Sequence, residues 1–284
     1  MKFTVLGSTG FIGSHVAALA RSLGHDVYCP ARGEALDRQN LGHVIYAIGI
    51  TADFRQRPHE TITAHVTKFQ EVLREATFDS LVYLSSTRVY ARCSGNRPQG
   101  QTAVNESTPI PVVSSDFSDL YNLSKLMGES IALSQGPRIR VARLSNVVGP
   151  DFTSDNFLTS VLRDCIQKGR VVLRSSLASV KDYVSVKDVA EILLRIGIEG
   201  QSPIYNVASG CQTTNAEIIT ELTRLTGAEI TVTPEAPTLG FPPIDISLLS
   251  DEFGFAPRCM EEILPDLVAQ SWKYYSLPTR REAA

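Results

Sequence analysis

The chain has 284 residues, enough for one sizeable core or for a main domain with a smaller appended lobe, and the second arrangement is expected. Hydrophobic residues make up 43% and charged residues 20%, an ordinary globular mix that argues against disorder and coiled coil. The formal net charge of −3, with no Lys/Arg block long enough to track a phosphate backbone, argues against nucleic acid as a partner.

Residues Phe3 to Leu6 form a short apolar, β-prone run. Gly7-Ser8-Thr9-Gly10-Phe11-Ile12-Gly13 follows at once, before a helical pattern from Ser14 to Leu23. Gly7 suits a tight turn, Gly10 lets the main chain approach a pyrophosphate, and Gly13 lets the helix pack closely on the strand. The unpaired N–H groups and positive dipole end of the helix favour an anion there. Glycine turns also serve as plain corners. Here Gly24-His25 closes the helix and Asp26 to Cys29 reads as a second strand, so the context supports a dinucleotide site.

The second strand ends at Pro30-Ala31-Arg32-Gly33, where an NAD-preferring protein usually offers a carboxylate to the ribose hydroxyls. Arg32 instead suits a 2′-phosphate, which favours NADP over NAD. The alternative is a solvated loop arginine, and Arg38 is a weaker second candidate. Only eleven residues, Gly33 to His43, precede the next strand at Val44 to Ile48. A parallel crossover takes about a dozen residues by itself, so the usual third strand and its helix are expected to be missing or vestigial.

Three later segments add to the pattern. Ser85-Ser86-Thr87-Arg88-Val89-Tyr90 follows an apolar strand, Tyr121-Asn122-Leu123-Ser124-Lys125 opens a helix, and Arg143-Leu144-Ser145-Asn146-Val147-Val148-Gly149-Pro150 follows another strand. With the glycine turn, they resemble the extended short-chain dehydrogenase/reductase family, which includes nucleotide-sugar epimerases and dehydratases. The resemblance continues through Lys181 to Ala190 and Tyr205 to Gly210 as far as Gly254-Phe255-Ala256-Pro257.

That resemblance implies an α/β fold: a doubly wound parallel Rossmann sheet with a smaller C-terminal substrate lobe. The expected division is 1–150 plus about 176–204 for the dinucleotide-binding domain, and 151–175 plus 205–284 for the lobe. It also implies a catalytic triad of Ser86, Tyr121 and Lys125. A tyrosine near its ordinary pKa of about 10 is a poor base at neutral pH and needs a nearby positive charge, which Lys125 can supply. Four residues along a helix bring the two side chains to one face. Tyr121 then exchanges a proton with a substrate hydroxyl that Ser86 also binds, while hydride passes to or from the nicotinamide.

The cofactor residues implied are Gly7, Thr9, Gly10, Phe11, Ile12, Gly13, Arg32, Ala47, Ile48, Gly49, Leu84 and Leu144, together with Tyr121 and Lys125. The substrate residues implied are Ser86, Thr87, Asn146, Lys181 and Arg258. Asn146 reads equally as a turn-former before Gly149-Pro150. No metal site is expected.

Departures from the family pattern narrow the chemistry. Dehydratases of the family follow the catalytic Ser/Thr with an acidic pair, whereas Thr87-Arg88 stands here, so dehydration is disfavoured. Lys181 replaces an arginine that often reaches the substrate nucleotide, and Phe241-Pro242-Pro243-Ile244-Asp245 lacks the phosphate-binding arginine sought before that aspartate. Arg258 is the compensating candidate. His65 stands where the family often carries asparagine, and a satisfied core histidine is its plain reading.

Helix faces are expected at Val66 to Ala76, Leu126 to Leu133, Asn215 to Thr226 and Glu261 to Trp272. Residues Arg92 to Phe117, rich in Ser, Pro, Gly and Asn, read as a long surface loop and candidate lid, and the Arg280 to Ala284 tail as frayed. The five cysteines are scattered and show no metal-ligand spacing, which suggests reduced thiols in a cytoplasmic setting. The opening residues run straight into the glycine turn, which leaves no room for a charged leader, and no apolar run is long enough to span a bilayer.

The leading expectation is therefore an NADP- or NAD-dependent epimerase or ketoreductase of a sugar or nucleotide-sugar, working as a homodimer packed through the Tyr-Lys helices. The alternatives are an NADPH-dependent reductase of a non-nucleotide carbonyl compound and a non-catalytic dinucleotide sensor.

Overall fold

The computed structural model describes residues 1–36, 40–51, 53–95 and 103–276. Arg38, the Arg280 to Ala284 tail and part of the long loop after Arg92 lie outside these residues.

The first half alternates strands and helices: β1 (Lys2–Leu6), α1 (Phe11–Ser22), β2 (Asp26–Tyr28), β3 (His43–Tyr46), α2 (Pro58–Ile62), a π-helical turn (Thr63–Thr67), α3 (Lys68–Glu75), β4 (Ser80–Ser86), α4 (Leu120–Ser134) and β5 (Ile139–Leu144). The second half comprises β6 (Asn146–Val148), α5 (Phe157–Lys168), β7 (Arg170–Leu173), β8 (Val180–Ser185), α6 (Val186–Glu199) and β9 (Ile204–Val207). It continues with β10 (Gln212–Thr214), α7 (Asn215–Thr226), β11 (Glu229–Val232), α8 (Ser247–Phe253) and α9 (Met260–Tyr275).

Six strands form one parallel sheet in the order β2-β1-β3-β4-β5-β9. Both faces are covered, which is why its strands read as continuous apolar runs rather than alternating ones. Side-chain alternation sends Phe3, Val5, Ile45 and Val82 into one core with α1 and α6. Val44, Tyr46, Leu81 and Tyr83 point the other way, into a core with Phe69 and Val72 of α3 and Ala132 of α4. The chain steps from β2 across β1 to β3, so the switch point falls between β1 and β3, where ligands of such sheets bind beyond the strand C-termini. Among the described residues β2 pairs only with β1, and no strand follows it on that edge. The short Gly33 to His43 connection accounts for this.

The smaller core gathers α5, β7, α7 and α9 through Leu158, Leu162, Leu173, Leu222, Ile263 and Leu267. Strand β9 and helix α8 do not join it. β9 pairs with β5, and Leu249 and Phe253 of α8 pack into the α1/α6 core. The chain therefore returns to the large sheet after residue 205 as well as before it.

The cysteine expectation is corrected here. Cys211 and Cys259 form a disulfide with their Cα atoms 6.0 Å apart, while Cys29, Cys93 and Cys165 remain thiols. The bond ties the β9–β10 connection to the residue before α9, two places 48 residues apart in sequence that only the fold brings together. No helix among the described residues is long and apolar enough to cross a membrane.

Candidate active site

The glycine turn lies at the C-terminal end of β1, against the end of β3. Gly7 has φ of +86°, and a Cβ there would sit 2.8 Å from the Ala47 carbonyl oxygen. A Cβ on Gly13 would come within 2.3 Å of the Gly7 carbonyl oxygen, so α1 can lie this close to the turn only with glycine at that position. Gly10 is the N-cap of α1; no side chain caps it, and the first turn carries no acid. The N–H end of the helix thus faces outward with its positive dipole uncompensated, which suits a pyrophosphate bounded by Thr9, Phe11 and Ile12. The Ala47 N–H donates to the Leu6 carbonyl, which brings Ala47, Ile48 and Gly49 alongside this turn.

Ser86 is the last residue of β4, and Tyr121 and Lys125 lie one turn apart on α4. Ser86 lies close enough to Tyr121 to act on its hydroxyl, and its Oγ accepts from the Arg88 backbone N–H at 3.2 Å. Tyr121 is 4% exposed. Burial raises its pKa, while the nearby Ser86 hydroxyl and the Arg88 charge pull it down. Lys125 Nζ donates to the Leu84 carbonyl at 2.8 Å and lies 6.0 Å from the Tyr121 ring centroid. Burial pulls the Lys125 pKa down to about 7, against the attraction of Glu129, one turn further along α4. Glu129 itself is held by Arg143, by Ser85 and by its place on the helix. Gly49 closes the cluster from the β3 side: a Cβ there would be 3.5 Å from Lys125 Nζ and 3.4 Å from His65 Nε2.

His65 is fully buried on the π-helical turn. The Ile50 N–H donates to its Nε2 at 3.2 Å. Nδ1 therefore carries the proton and donates to Ser124 Oγ at 2.8 Å, and Ser124 donates on to the Tyr121 carbonyl. Burial, with the Lys125 charge adding to it, lowers the His65 pKa to about 2, so the ring is neutral. The wider π turn leaves carbonyls to satisfy. Tyr46 donates to the Ala64 oxygen and Tyr83 to the His65 oxygen. This is the satisfied core histidine that the sequence suggested, set directly against Tyr121 with ring centroids 5.4 Å apart.

Arg88, from the Ser85 to Tyr90 segment, and Phe54, which no motif singled out, complete the surroundings. The Arg88 guanidinium stands 5.6 Å from the Tyr121 ring centroid, and its backbone N–H donates to Ser86 Oγ. Phe54, from the loop after β3, packs on Tyr121 with centroids 5.4 Å apart. Arg88 was visible in the sequence as the residue standing where dehydratases carry an acid. Phe54 gave no signal, because an apolar residue in an irregular loop has no periodicity to read.

The outlying candidates are dispersed. Arg32 is exposed on the turn after β2. Close by, Glu34 folds back to accept from Tyr28 Oη at 2.5 Å and from the Ala31 N–H at 2.7 Å. The sequence reading stopped one residue short of this carboxylate. Thr87 is buried beside Ser86, and Leu144 closes β5 within the α1/α6 core. Asn146 opens β6 rather than a turn and donates to the Asp182 carbonyl at 2.8 Å. Lys181 lies 5.3 Å over the Phe157 ring, and burial lowers its pKa. The Arg258 side chain turns to Asp266 at 3.7 Å, while its backbone N–H points to Asp188. The structure thus gathers Ser86, Tyr121 and Lys125 at the strand ends near the glycine turn, and sets Arg258 between Asp188 at the start of α6 and Asp266 of α9.

A parallel sheet with a glycine turn at its switch point and a Ser-Tyr-Lys group at the next strand end defines a dinucleotide-binding protein of the Rossmann class. The profile of the NAD dependent epimerase/dehydratase family matches residues 3–208, and the chain belongs to that family. A dTDP-glucose 4,6-dehydratase of Mycolicibacterium smegmatis is 25% identical over 205 residues, which is 70% of this chain and 60% of that protein. The match thus spans less than two thirds of that relative's length.

Among solved structures, RMD from Pseudomonas aeruginosa complexed with NADPH superposes with a TM-score of 0.77 at 21% identity, covering 96% of this chain and all of that one. The dTDP-glucose 4,6-dehydratase from Bacillus anthracis in complex with NAD gives 0.76 at 18% identity, covering 96% and 97%. The UDP-glucose 4-epimerase of Thermus thermophilus in complex with NAD gives 0.74 at 20% identity over the full length of both chains. At these identities the likeness concerns the fold.

Proposed function

We infer that the protein is an NAD(P)-dependent oxidoreductase or epimerase acting at a hydroxyl or keto carbon of a sugar, with nucleotide-sugars as the leading substrate class. The observation that carries this reading is the grouping of Ser86, Tyr121 and Lys125 at the strand ends beside the uncapped, acid-free N-terminus of α1. Nicotinamide bound there supplies the hydride acceptor or donor. In the oxidation direction Ser86 holds the substrate hydroxyl, and Tyr121 takes its proton as hydride leaves the carbon; in reduction Tyr121 returns that proton to the carbonyl oxygen. Cationic Lys125 and Arg88 stabilise the phenolate. Neutral His65 holds Ser124, and through it the Tyr121 backbone, in place.

Dehydration stays outside the proposal although a relative bears that name, because the groups acting on the Tyr121 hydroxyl are Ser86 and Arg88, and neither is an acid that can protonate a departing hydroxyl. NADP is the favoured cofactor: both Glu34 oxygens are engaged by Tyr28 and Ala31, which leaves Arg32 as the ready partner for a 2′-phosphate. Exposed Ile62 on α2 and Met127 on α4 support a homodimer through that face. A cytoplasmic setting belongs to the same reading, with the Cys211–Cys259 bond weighing against it. One observation favours reduction of a non-nucleotide carbonyl compound instead: Arg258, the compensating phosphate partner, is turned to Asp266.

The test is to denature the purified protein, identify the released dinucleotide and its oxidation state, and screen nucleotide-sugars for binding. Stoichiometric oxidised cofactor with nucleotide-sugar binding is the epimerase result. An empty protein that binds NADPH reversibly and no nucleotide-sugar is the reductase result. Absence of any dinucleotide binding overturns the reading.

A further inference from the structure

Beside the Ser86–Tyr121 pair lies a cationic group that the hydride chemistry does not account for in full. Phe54 is 3% exposed, and two guanidinium groups approach its ring, Arg55 at 4.6 Å and Arg88 at 5.3 Å from the centroid. Contact with an aromatic ring engages a guanidinium through its charge and leaves its in-plane N–H donors to find acceptors elsewhere. Arg88 has neutral acceptors for Nη1 alone, Asn122 Oδ1 at 3.1 Å and the Ser118 carbonyl at 3.4 Å. Its Nε and Nη2 have no acceptor among the described residues, and neither is among the buried unpartnered atoms, so this edge of the fork faces an opening.

The carboxylates nearby are bound by other cations. Arg92 holds both Asp116 and Asp119, with its Nε 2.7 Å from the latter, and Arg57 holds Asp53 at 3.2 Å and Glu60 at 3.6 Å. Among the described residues Arg55 and Arg88 have no ion pair, and each lies in the other's field. Asp116 and Asp119 attract Arg88 only through space, both being paired with Arg92, so the repulsion between two like charges on one ring is incompletely offset and an anion placed between them relieves it. The location fixes which part of a ligand would supply it. Arg88 follows Ser86 by two residues, donates its backbone N–H to Ser86 Oγ and covers the Tyr121 ring, so the anion sits within one sugar ring of the reacting oxygen.

We propose that Arg88, assisted by Arg55 and seated on Phe54, binds a carboxylate on the reacting end of the substrate, so that the protein takes an acidic sugar in preference to its neutral counterpart. The planar carboxylate matches the open Nε/Nη2 edge of a guanidinium in bidentate fashion. A phosphate offers the same acceptors, and the test separates the two. The proposal rests on the reading of Ser86 and Tyr121 as the reacting end of the site.

The experiment measures binding by calorimetry to the cofactor-loaded protein with a matched pair, UDP-glucose and UDP-glucuronic acid, and with UDP alone. Wild type is expected to bind the acid more tightly by about ten- to a hundredfold, the worth of one hydrogen-bonded charge pair. Arg88→Gln should bring the two sugars to parity without weakening UDP, and Arg55→Ala, at an exposed position that leaves folding alone, should narrow the preference. Tyr121→Phe should lower turnover by about a hundredfold or more yet keep the preference in binding, which separates the carboxylate site from the hydride chemistry. Equal binding of the pair by wild type overturns the proposal and leaves the proposed function standing. Arg88→Gln weakening UDP and both sugars alike assigns Arg88 to the phosphates and overturns it too. Binding of neither sugar by a protein that holds dinucleotide overturns both the proposal and the nucleotide-sugar reading.

Discussion

Replacing Lys125 by methionine should make the protein more stable at pH 7 and inactive. The lysine is 4% exposed, and burial lowers its pKa from 10.5 to about 7 even with Glu129 attracting it. An unfolded lysine titrates near its ordinary value of about 10.4. Between these pKa values the native chain binds fewer protons than the unfolded chain, so stability rises with pH across that window, and the cost of charging the buried amine is fully present below it. At about 1.4 kcal/mol per unit the full cost is roughly 5 kcal/mol. Methionine keeps the length and apolar stem but leaves the Leu84 carbonyl without its donor, a loss of about 1–3 kcal/mol. Glu129 keeps Arg143 at 2.6 Å and is not orphaned.

About 4 kcal/mol of the charging cost is present at pH 7, so the expected net gain there is roughly 1–3 kcal/mol, and about 2 kcal/mol of the cost should vanish by pH 9 as the wild-type amine loses its proton. Urea unfolding of both proteins, stripped of dinucleotide, at the two pH values reads this as a double difference in which every other titrating group cancels. A variant less stable than wild type at pH 7, or a gap that does not change with pH, would refute the assignment of Lys125 as a buried amine with a depressed pKa. The same substitution removes a cation from the phenolate, so stability and turnover should move in opposite directions.

Tyr121→Phe should lower turnover by about a hundred- to ten-thousandfold while dinucleotide affinity, followed by fluorescence titration, stays near wild type. Gly13→Ala should abolish dinucleotide binding, because the new Cβ falls 2.3 Å from the Gly7 carbonyl; wild-type affinity in that variant would sink the account of the turn. Arg32→Ala should weaken NADPH by about tenfold or more and leave NADH nearly unchanged, as expected for loss of one charge-assisted contact to a 2′-phosphate. Thiol titration of the denatured, unreduced protein should count Cys29, Cys93 and Cys165 only, and reduction of Cys211–Cys259 should cost about 2–4 kcal/mol of stability in a denaturant titration. Five reactive thiols before reduction would restore the reduced state that the scattered cysteines suggested.

What the sequence disclosed about the site was whatever chemistry is confined to one junction. The glycine turn is a strand, seven residues and a helix, and the Tyr121–Lys125 pair is one turn of one helix, so spacing along the chain is nearly spacing in space. The missing third strand was legible for a different reason: Gly33 to His43 is too short for a crossover whatever those residues are. The remaining features depend on segments that meet only after folding. Arg88 matters because Phe54 arrives from the loop after β3 and gives its guanidinium a surface beside Tyr121. Cys211 finds Cys259 because the chain returns to the sheet through α8 before α9 begins.

The π turn at His65 was illegible in a stricter sense. One extra residue shifts the register of the helix without changing its composition, and its support comes from Tyr46 and Tyr83 on two other strands. A motif therefore located the tyrosine proposed to transfer the proton, while its pKa is raised by burial and pulled down by Ser86 and Arg88 from the separate Ser85 to Tyr90 segment. The proposed substrate preference rests on the same contacts. In this chain the acidic pair of a dehydratase is replaced by Thr87-Arg88, and with it the negative charge beside the reacting hydroxyl by a positive one. Under the proposed function, the electrostatics beside Ser86 oppose loss of water and favour an acidic substrate for one and the same reason.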